Sequence, residues 1–437
     1  MEKENKLIEF LNASKNEYFA VQKLTEYLLE NKFTMLTENS KWDLKANSNY
    51  FVTRNNNSLI AFKTPKNFDE DNYKFKLISA HLDSPCLKIK FNPVVGKENY
   101  ESLMIEVYGG AILSSFVDRP LALAGRILVR KGNQVVTKLI DSKKAIAIIP
   151  NVCIHQNRDI NKGFKYNPQI DLVPIVGLND EKENLFDRYL ESSLEDGEEI
   201  ISYDIYLYLT EKTQYVGIDN SLICGPKLDD LSCAYLGIDS LIESNNTEND
   251  FLVTFLADNE ETGSLSYTGA DSNFLKITLS RISSLCGATD EEHLIALAKS
   301  FIISADNGHA IHPNHPELSD SINKCLLNKG LLIKFNSNMK YTSDAFSSSL
   351  IKLLCEENNI KYQTFFNRAD AISGSTLGNI SISQVSILTC DVGLPQLSMH
   401  SAYETIARED ISSLSALFDK FYETDFVIDN TNIFINK

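Results

Sequence analysis

His81 and Asp83, Asp229 and Asp230, Glu260 and Glu261, Asp306 and His400 share one habit: each comes soon after a short apolar run. Residues 76–80 lead into His81–Leu82–Asp83, and residues 225–228 lead into Asp229–Asp230. Residues 251–257 run into Asp258–Asn259–Glu260–Glu261, and 301–305 into Asp306. Near the C-terminus, residues 385–389 are followed by Leu397–Ser398–Met399–His400. Ligands of open α/β sheets bind beyond the C-terminal ends of the strands, which is where these residues would stand. Two imidazoles and several carboxylates delivered this way make the donor set of a two-zinc hydrolase.

Each signal has a bland counterpart. His81 and Asp83 are two apart, so an extended chain turns both to one face, where Asp83 can hold the tautomer of a metal-binding His81. An H-x-D alone is more often a plain strand end. Glu260–Glu261 is more informative, because adjacent carboxylates repel unless a cation lies beside them. One of the pair can ligate metal while the other acts as general base on a water. Asp229, Asp230 and Asp306 are individually weaker, since an acid at a loop start is often a helix cap, and Asp230 is placed to cap a helix starting near Ser232. His309, His312 and His315 lie within seven residues. That spacing admits a further metal site or, equally, a loop that touches substrate.

Something must position these residues. The first 30 residues carry a helical pattern at Leu24, Tyr27, Leu28 and Leu29, and Asn55–Ser58 reads as a turn between strands at 50–53 and 59–62. From about 92 to 220 come alternating strand-like pieces, at 103–108, 125–129, 135–140 and 201–209. From Asp229 onward helix and strand signals alternate: helices at 232–242, 273–286, 291–299, 343–358 and 405–422, and strands at 251–257, 301–304, 331–335 and 362–366. This predicts one discontinuous α/β catalytic domain, residues 1–91 and 221–437, with a largely parallel sheet and a β-rich domain, residues 92–220, inserted into it.

The bulk numbers fit two domains: 437 residues, 43% hydrophobic, only 11 prolines. A formal charge of −17 speaks against nucleic acid or an anionic membrane as partner. No run reaches the length of a membrane helix, and the N-terminus lacks the apolar core of a secretory signal. Eight Cys without any C-x-x-C pair point to a reducing cytoplasm.

At this level of detail the chain resembles the M18 metalloaminopeptidases, the aspartyl aminopeptidase family. The resemblance is carried by Ser79–Ala80–His81–Leu82–Asp83–Ser84–Pro85, Tyr108–Gly109–Gly110, Asp118–Arg119, Leu123–Ala124–Gly125–Arg126, and Ile149–Pro150–Asn151 through His155. It continues in Lys227–Leu228–Asp229, Asp258–Asn259–Glu260–Glu261, Ser304–Ala305–Asp306, His309 through Asn314, Gly374–Ser375–Thr376 and Asp391 through Ser401. These pieces keep family order from about residue 8 to residue 420.

The resemblance implies an aminopeptidase that hydrolyses the N-terminal residue from peptides with a free N-terminus, with two divalent ions per subunit, Zn2+ before Mn2+ or Co2+. Asp229 would bridge them, His81 and Asp306 completing one and Glu261 and His400 the other, with Glu260 as the catalytic carboxylate beside Asp83. His155 would be lent by the inserted, dimer-forming domain to a neighbouring subunit. His309, Lys334 and Tyr341 would contact substrate, and the Lys334 cation would favour Asp or Glu through charge-assisted hydrogen bonds, neutral residues being the alternative. A homo-oligomer, a tetrahedral dodecamer built of dimers, is implied as well, and the Asp229–Asp230 peptide is a candidate for the cis form. The rival readings are a two-metal deacylase or carboxypeptidase, and a non-catalytic shell protein of the same fold. Two departures stand out: Leu113–Pro120 replaces a tryptophan-rich run, and Tyr18–Phe19–Ala20 replaces Phe-His-Ala. Neither is expected to touch a ligand; the first should bear on the subunit contact.

Overall fold

The computed structural model describes residues 2–178, 184–371 and 373–435. Its central sheet runs Thr34–Leu36, Asn49–Arg54, Ser58–Lys63, Phe251–Ala257, Phe75–His81, Phe301–Ala305, Leu388–Gly393, Leu331–Phe335, Tyr362–Phe366. The four strands from Phe251–Ala257 to Leu388–Gly393 are parallel, as expected. Beyond them, Ser58–Lys63 and Leu331–Phe335 join antiparallel. All seven residues of both Phe75–His81 and Phe251–Ala257 are buried. That explains why these strands read as largely apolar runs, with Lys76, Ser79 and Thr254 the only polar residues besides His81: helices cover both faces, so few polar groups are tolerated on either side.

One face packs on Leu24, Leu231, Leu236, Leu414 and Phe418, and the other on Trp42, Phe274, Leu279 and Ile282. The helix Leu228–Glu243 is buried along almost its whole length, and the two residues at its start, Asp229 and Asp230, are joined by a cis peptide and are not helical.

The inserted domain is an antiparallel sheet in the order Gln134–Asp141, Leu121–Lys131, Glu198–Leu209, Cys86–Lys97, Tyr100–Tyr108, Ile175–Leu178. The strand pieces expected from the sequence all fall inside it. Cys86–Lys97 follows closely on the His81 strand and crosses residue 91, so the two domains are joined by a very short link on this side. The insert has its own core, built on Leu87, Leu103, Leu123, Ile127 and Ile205, and Ala402 from the catalytic domain is packed into it.

A small third sheet was not anticipated. It orders Gln214–Val216, Leu222–Gly225, Glu404–Ala407, Pro395–Leu397 and Gly308–His309. The long terminal helix therefore spans Arg408–Glu423, and its expected start at 405 is corrected: Glu404–Ala407 pairs with Leu222–Gly225 and with Pro395–Leu397. Among the described residues no helix is long and apolar enough to cross a membrane, and the eight cysteines are free.

Candidate active site

His81 closes the strand Phe75–His81, between Phe251–Ala257 and Phe301–Ala305. Asp306 follows the second of these neighbours directly, and Glu260–Glu261 follow the first in a short 3-10 turn entered through Asn259 at φ +59. Adjacent strand ends thus bring His81, Asp306 and the glutamate pair together. His81 is 1% exposed, and its Nδ1 faces the Asp83 carbonyl at 3.0 Å and Asp83 Oδ1 at 3.4 Å. That leaves Nε2 to face Asp229 Oδ1 at 3.6 Å. Asp83 does more than steady His81: its two oxygens accept the backbone N–H groups of Glu260 and Glu261, each at 3.1 Å.

Asp229 sits at the crossing. While Oδ1 faces His81, Oδ2 faces His400 Nε2 at 3.7 Å, and His400 Nε2 lies 3.3 Å from Glu261 Oε2. Donor atoms of His81, Asp229 and Asp306 lie within 4.8 Å of one another, and so do those of Asp229, Glu261 and His400. Two donor sets share one carboxylate.

The residues fit a cation. Asp229 Oδ1 and Glu261 Oε1 are buried without a hydrogen-bond partner, a costly state for charged oxygens that a metal ion would relieve. Burial pushes the Glu261 carboxyl well above its ordinary range, and Asp229 beside it pushes the same way. Burial likewise lifts Glu260 to about 8 against the opposing effect of His81, with Asp306 and Asp83 adding repulsion. Asp229 is held low despite burial by His81 and His400, and His81 is held high despite burial by Asp229 and Asp83. Carboxylates crowded this closely stay ionised together only around positive charge.

These groups open into a cavity of about 390 Å3, also lined by His309, Lys334, Tyr341, Gly374, Ser375, Thr376 and Met399. Lys334 is buried, and its ammonium donates to Asp306 O at 2.8 Å, Asp306 Oδ1 at 3.1 Å and Asn307 O at 2.9 Å. All three of its donors are engaged within the chain, so the direct hydrogen bond to an acidic substrate expected from sequence needs one of these contacts to yield. Tyr341 presents its ring 5.1 Å from the Lys334 ammonium. His155 is exposed in the insert and does not line this cavity. His312 and His315 lie against each other with tilted rings whose centres are 5.3 Å apart, and His315 pairs with Glu317, so the histidine-rich loop does not gather into a metal-type cluster among the described residues. Asp230, expected as a helix cap, turns Oδ2 to the backbone N–H of His81 at 3.3 Å.

Sequence reasoning missed the supports. Tyr108 donates to Asp83 Oδ2 at 2.7 Å and accepts from Asn259 Nδ2 at 2.8 Å. Asp391, wholly buried, accepts from Ser304 and Thr376 on one oxygen and from Thr342 on the other, tying the pocket loops to the sheet. The Gly110 carbonyl lies 3.2 Å from His400 Nδ1. Ile112 N–H donates to the His400 carbonyl at 2.9 Å, and Ala402 N–H donates to Ser115 Oγ at 2.8 Å. The contact that the unusual 113–120 segment makes here is with Ala402, two residues beyond His400 and not a proposed ligand: Ser115 steadies the His400 loop from the side. The apolar-to-carboxylate signal could not reveal this, because the contacts run mostly through backbone groups on the other domain.

The model of the Aminopeptidase I zinc metalloprotease (M18) family matches residues 10–422. A probable M18 family aminopeptidase 2 of Clostridium acetobutylicum is 42% identical over 425 residues, covering 95% of this chain and 98% of the relative. One of Pseudomonas aeruginosa is 35% identical over 422 residues, covering 95% and 97%. Among solved structures, that of the Ape4 and Nbr1 complex superposes with a TM-score of 0.90 at 33% identity, over 96% of this chain and 85% of the other. The S. cerevesiae mApe1 dodecamer gives 0.82 at 27%, over 96% of each chain. With the strand-end donor cluster and the inserted β domain, these matches place the chain in the M18 family, as a zinc-dependent aminopeptidase.

Proposed function

We propose that the chain removes single residues from the free N-terminus of peptides with two divalent ions per subunit. His81, Asp229 and Asp306 would hold one ion, and Asp229, Glu261 and His400 the other. The observation that carries this reading is the Asp229 carboxylate, whose two oxygens are split between His81 and His400. Zinc ions, when bound there, supply Lewis acidity toward the scissile carbonyl and acidify water at neutral pH. Glu260 lines the cavity next to both donor sets. As general base it takes the proton of the attacking water and returns it to the leaving amine. Asp83 fixes His81 and the backbone of both glutamates, so it acts on orientation.

A preference for Asp or Glu rests on the Lys334 ammonium in the cavity wall. Because that ammonium is already paired with Asp306, its remaining field is partly cancelled. Acidic over neutral first residues should be favoured by roughly tenfold, the scale of about 1.4 kcal/mol. Assembly into a homo-oligomer, a dodecamer by analogy with mApe1, agrees with the exposure of His155 outside its own chain's cavity; a cytoplasmic setting agrees with eight free cysteines. The test is initial rates on Asp-, Glu-, Leu- and Lys-initiated dipeptides with zinc-loaded protein and a Glu260→Gln control. Turnover lost in the control, by about 10²–10⁴, supports the mechanism. Absence of turnover on every dipeptide with zinc bound would turn the assignment toward a deacylase or a non-catalytic shell.

A further inference from the structure

Glu404 is 2% exposed and stands at the first position of the strand Glu404–Ala407, directly opposite Gly225. Its neighbours on the small sheet are the strand that runs out toward Asp229 and the strand that runs out toward His400. The carboxylate divides between the two: Oε2 accepts the backbone N–H of Asp229 at 3.1 Å, and Oε1 accepts that of His400 at 2.8 Å. One rigid group thereby spans the bridging residue and the imidazole that faces it.

The two ends do not depend on it equally. Asp229 is also held through its carbonyl by Ser84 Oγ at 2.9 Å and is fully enclosed at the head of a buried helix. His400 lies in a loop with φ +65, after Ser398 at φ +57, and its side chain is 31% exposed. A left-handed non-glycine residue is a conformation that its surroundings must hold in place. Satisfying two otherwise buried N–H groups is the ordinary role of such a carboxylate. Here the two N–H groups belong to the residues whose separation defines one donor set.

We propose that Glu404 is a positioning residue that sets His400 against Asp229, and thereby governs occupancy of the Asp229–Glu261–His400 position while leaving the His81–Asp306 position largely intact. It rests on the two-ion reading above. A general loss of stability would weaken both positions; positioning separates them.

The test is Zn2+ titration of metal-stripped wild-type, Glu404→Gln and Glu404→Asp proteins by competition with a chromophoric chelator, with thermal unfolding recorded in parallel. Gln places a donor against one of the two N–H groups. Asp keeps the charge but is too short to reach both, and serves if the Gln variant does not fold. The expected result is one wild-type-like site and a second weakened about 10–100-fold, the size usual for groups behind a metal ligand. Two wild-type affinities in a folded variant, or an equal drop at both sites, would overturn the proposal. Wild-type protein that binds a single ion would overturn the two-ion reading itself, whatever the variants do.

Discussion

The two halves of the site are built from different material. His81 and Asp306 sit at the ends of adjacent central strands, and their backbone position is set by parallel hydrogen-bond ladders and by both layers of the core. Glu261 and His400 come from loops, and the His400 loop is gripped by the inserted domain at Gly110, Ile112 and Ser115. The His81 side chain is 1% exposed and that of His400 31%. The strand-borne half is thus prepared by folding of the catalytic domain, whereas the loop-borne half also needs the insert in its seat. An inserted domain can then report its own docking or assembly mainly to the loop-borne donor set, since its hold on the strand-borne one runs indirectly, through the Tyr108 hydroxyl on Asp83.

Asp229 is the point at which this contrast disappears, so its loss should have the largest effect. Asp229→Asn removes charge from both donor sets, and several kcal/mol of metal-derived stabilisation should go with it, roughly a thousandfold in kcat/KM. Zinc titration should show both positions weakened together. If one site survives at wild-type affinity, Asp229 does not bridge.

Gly110→Ala strikes the loop-borne half from the insert. A Cβ there would lie 3.3 Å from His400 Nδ1, closer than comfortable packing, so the imidazole or the strand end must shift. On the proposed two-ion reading, about a tenfold loss of zinc affinity at the Asp229–Glu261–His400 donor set is expected, with the His81–Asp229–Asp306 set unchanged. Equal loss at both would mean that the insert supports the whole site and that the contrast drawn above is wrong.

Tyr108→Phe probes the reverse crossing, from the insert to the strand-borne half. It deletes the 2.7 Å bond to Asp83 and the 2.8 Å bond from Asn259 Nδ2, but Asp83 keeps the Glu260 and Glu261 N–H groups and its contact with His81. Each lost hydrogen bond is worth about 0.5–1.5 kcal/mol, and only the one to Asp83 bears on His81, so a few-fold loss in kcat/KM is expected, smaller than for Gly110→Ala. A larger loss than Gly110→Ala would invert the ranking of the two halves.

What was legible in the sequence follows the same division. His81, Glu260, Glu261 and Asp306 could be picked out because fully buried strands are largely apolar and polarity breaks out at their ends, whereas Asp229 follows only the short run 225–228 and stands at the head of a buried helix. Phe251–Ala257, Phe301–Ala305, Leu331–Phe335 and Tyr362–Phe366 are legible nearly residue for residue for the same reason, whereas Leu388–Gly393 is marked only by the apolar run at 385–389. Glu404 could not be found this way: the strand that carries it is only four residues long and runs straight into a helix, so its residues were absorbed into the helical pattern. Gly110 acts through a carbonyl, which leaves no side-chain signature. Lys334 was read as a free cation in the pocket because its partner, Asp306, is 28 residues away and meets it only across the sheet.

The last effect bears least on turnover and falls on stability instead, at the seam behind the site. Glu17 is 6% exposed and shares a cavity with Tyr206, Lys227 and Glu404, where catalytic domain, insert and N-terminal helices meet. Burial lifts its carboxyl to about 7, with the charge of Asp83 adding to the rise. In the unfolded chain the group titrates near its ordinary value, so between about pH 4.5 and 7 the folded protein binds the extra proton. Stability must then fall as pH rises through that window and level off above it. Glu17→Gln lacks this dependence, so the two proteins should match near pH 4 and diverge to at most roughly 3 kcal/mol in favour of the variant at pH 8. Urea unfolding midpoints from pH 4 to 8 decide it, and parallel curves for the two proteins would show that Glu17 does not carry the proton. If zinc affinity at the loop-borne half alone rises in Glu17→Gln at pH 8, the ionised seam is what loosens the insert, and the asymmetry between the halves extends to their response to pH.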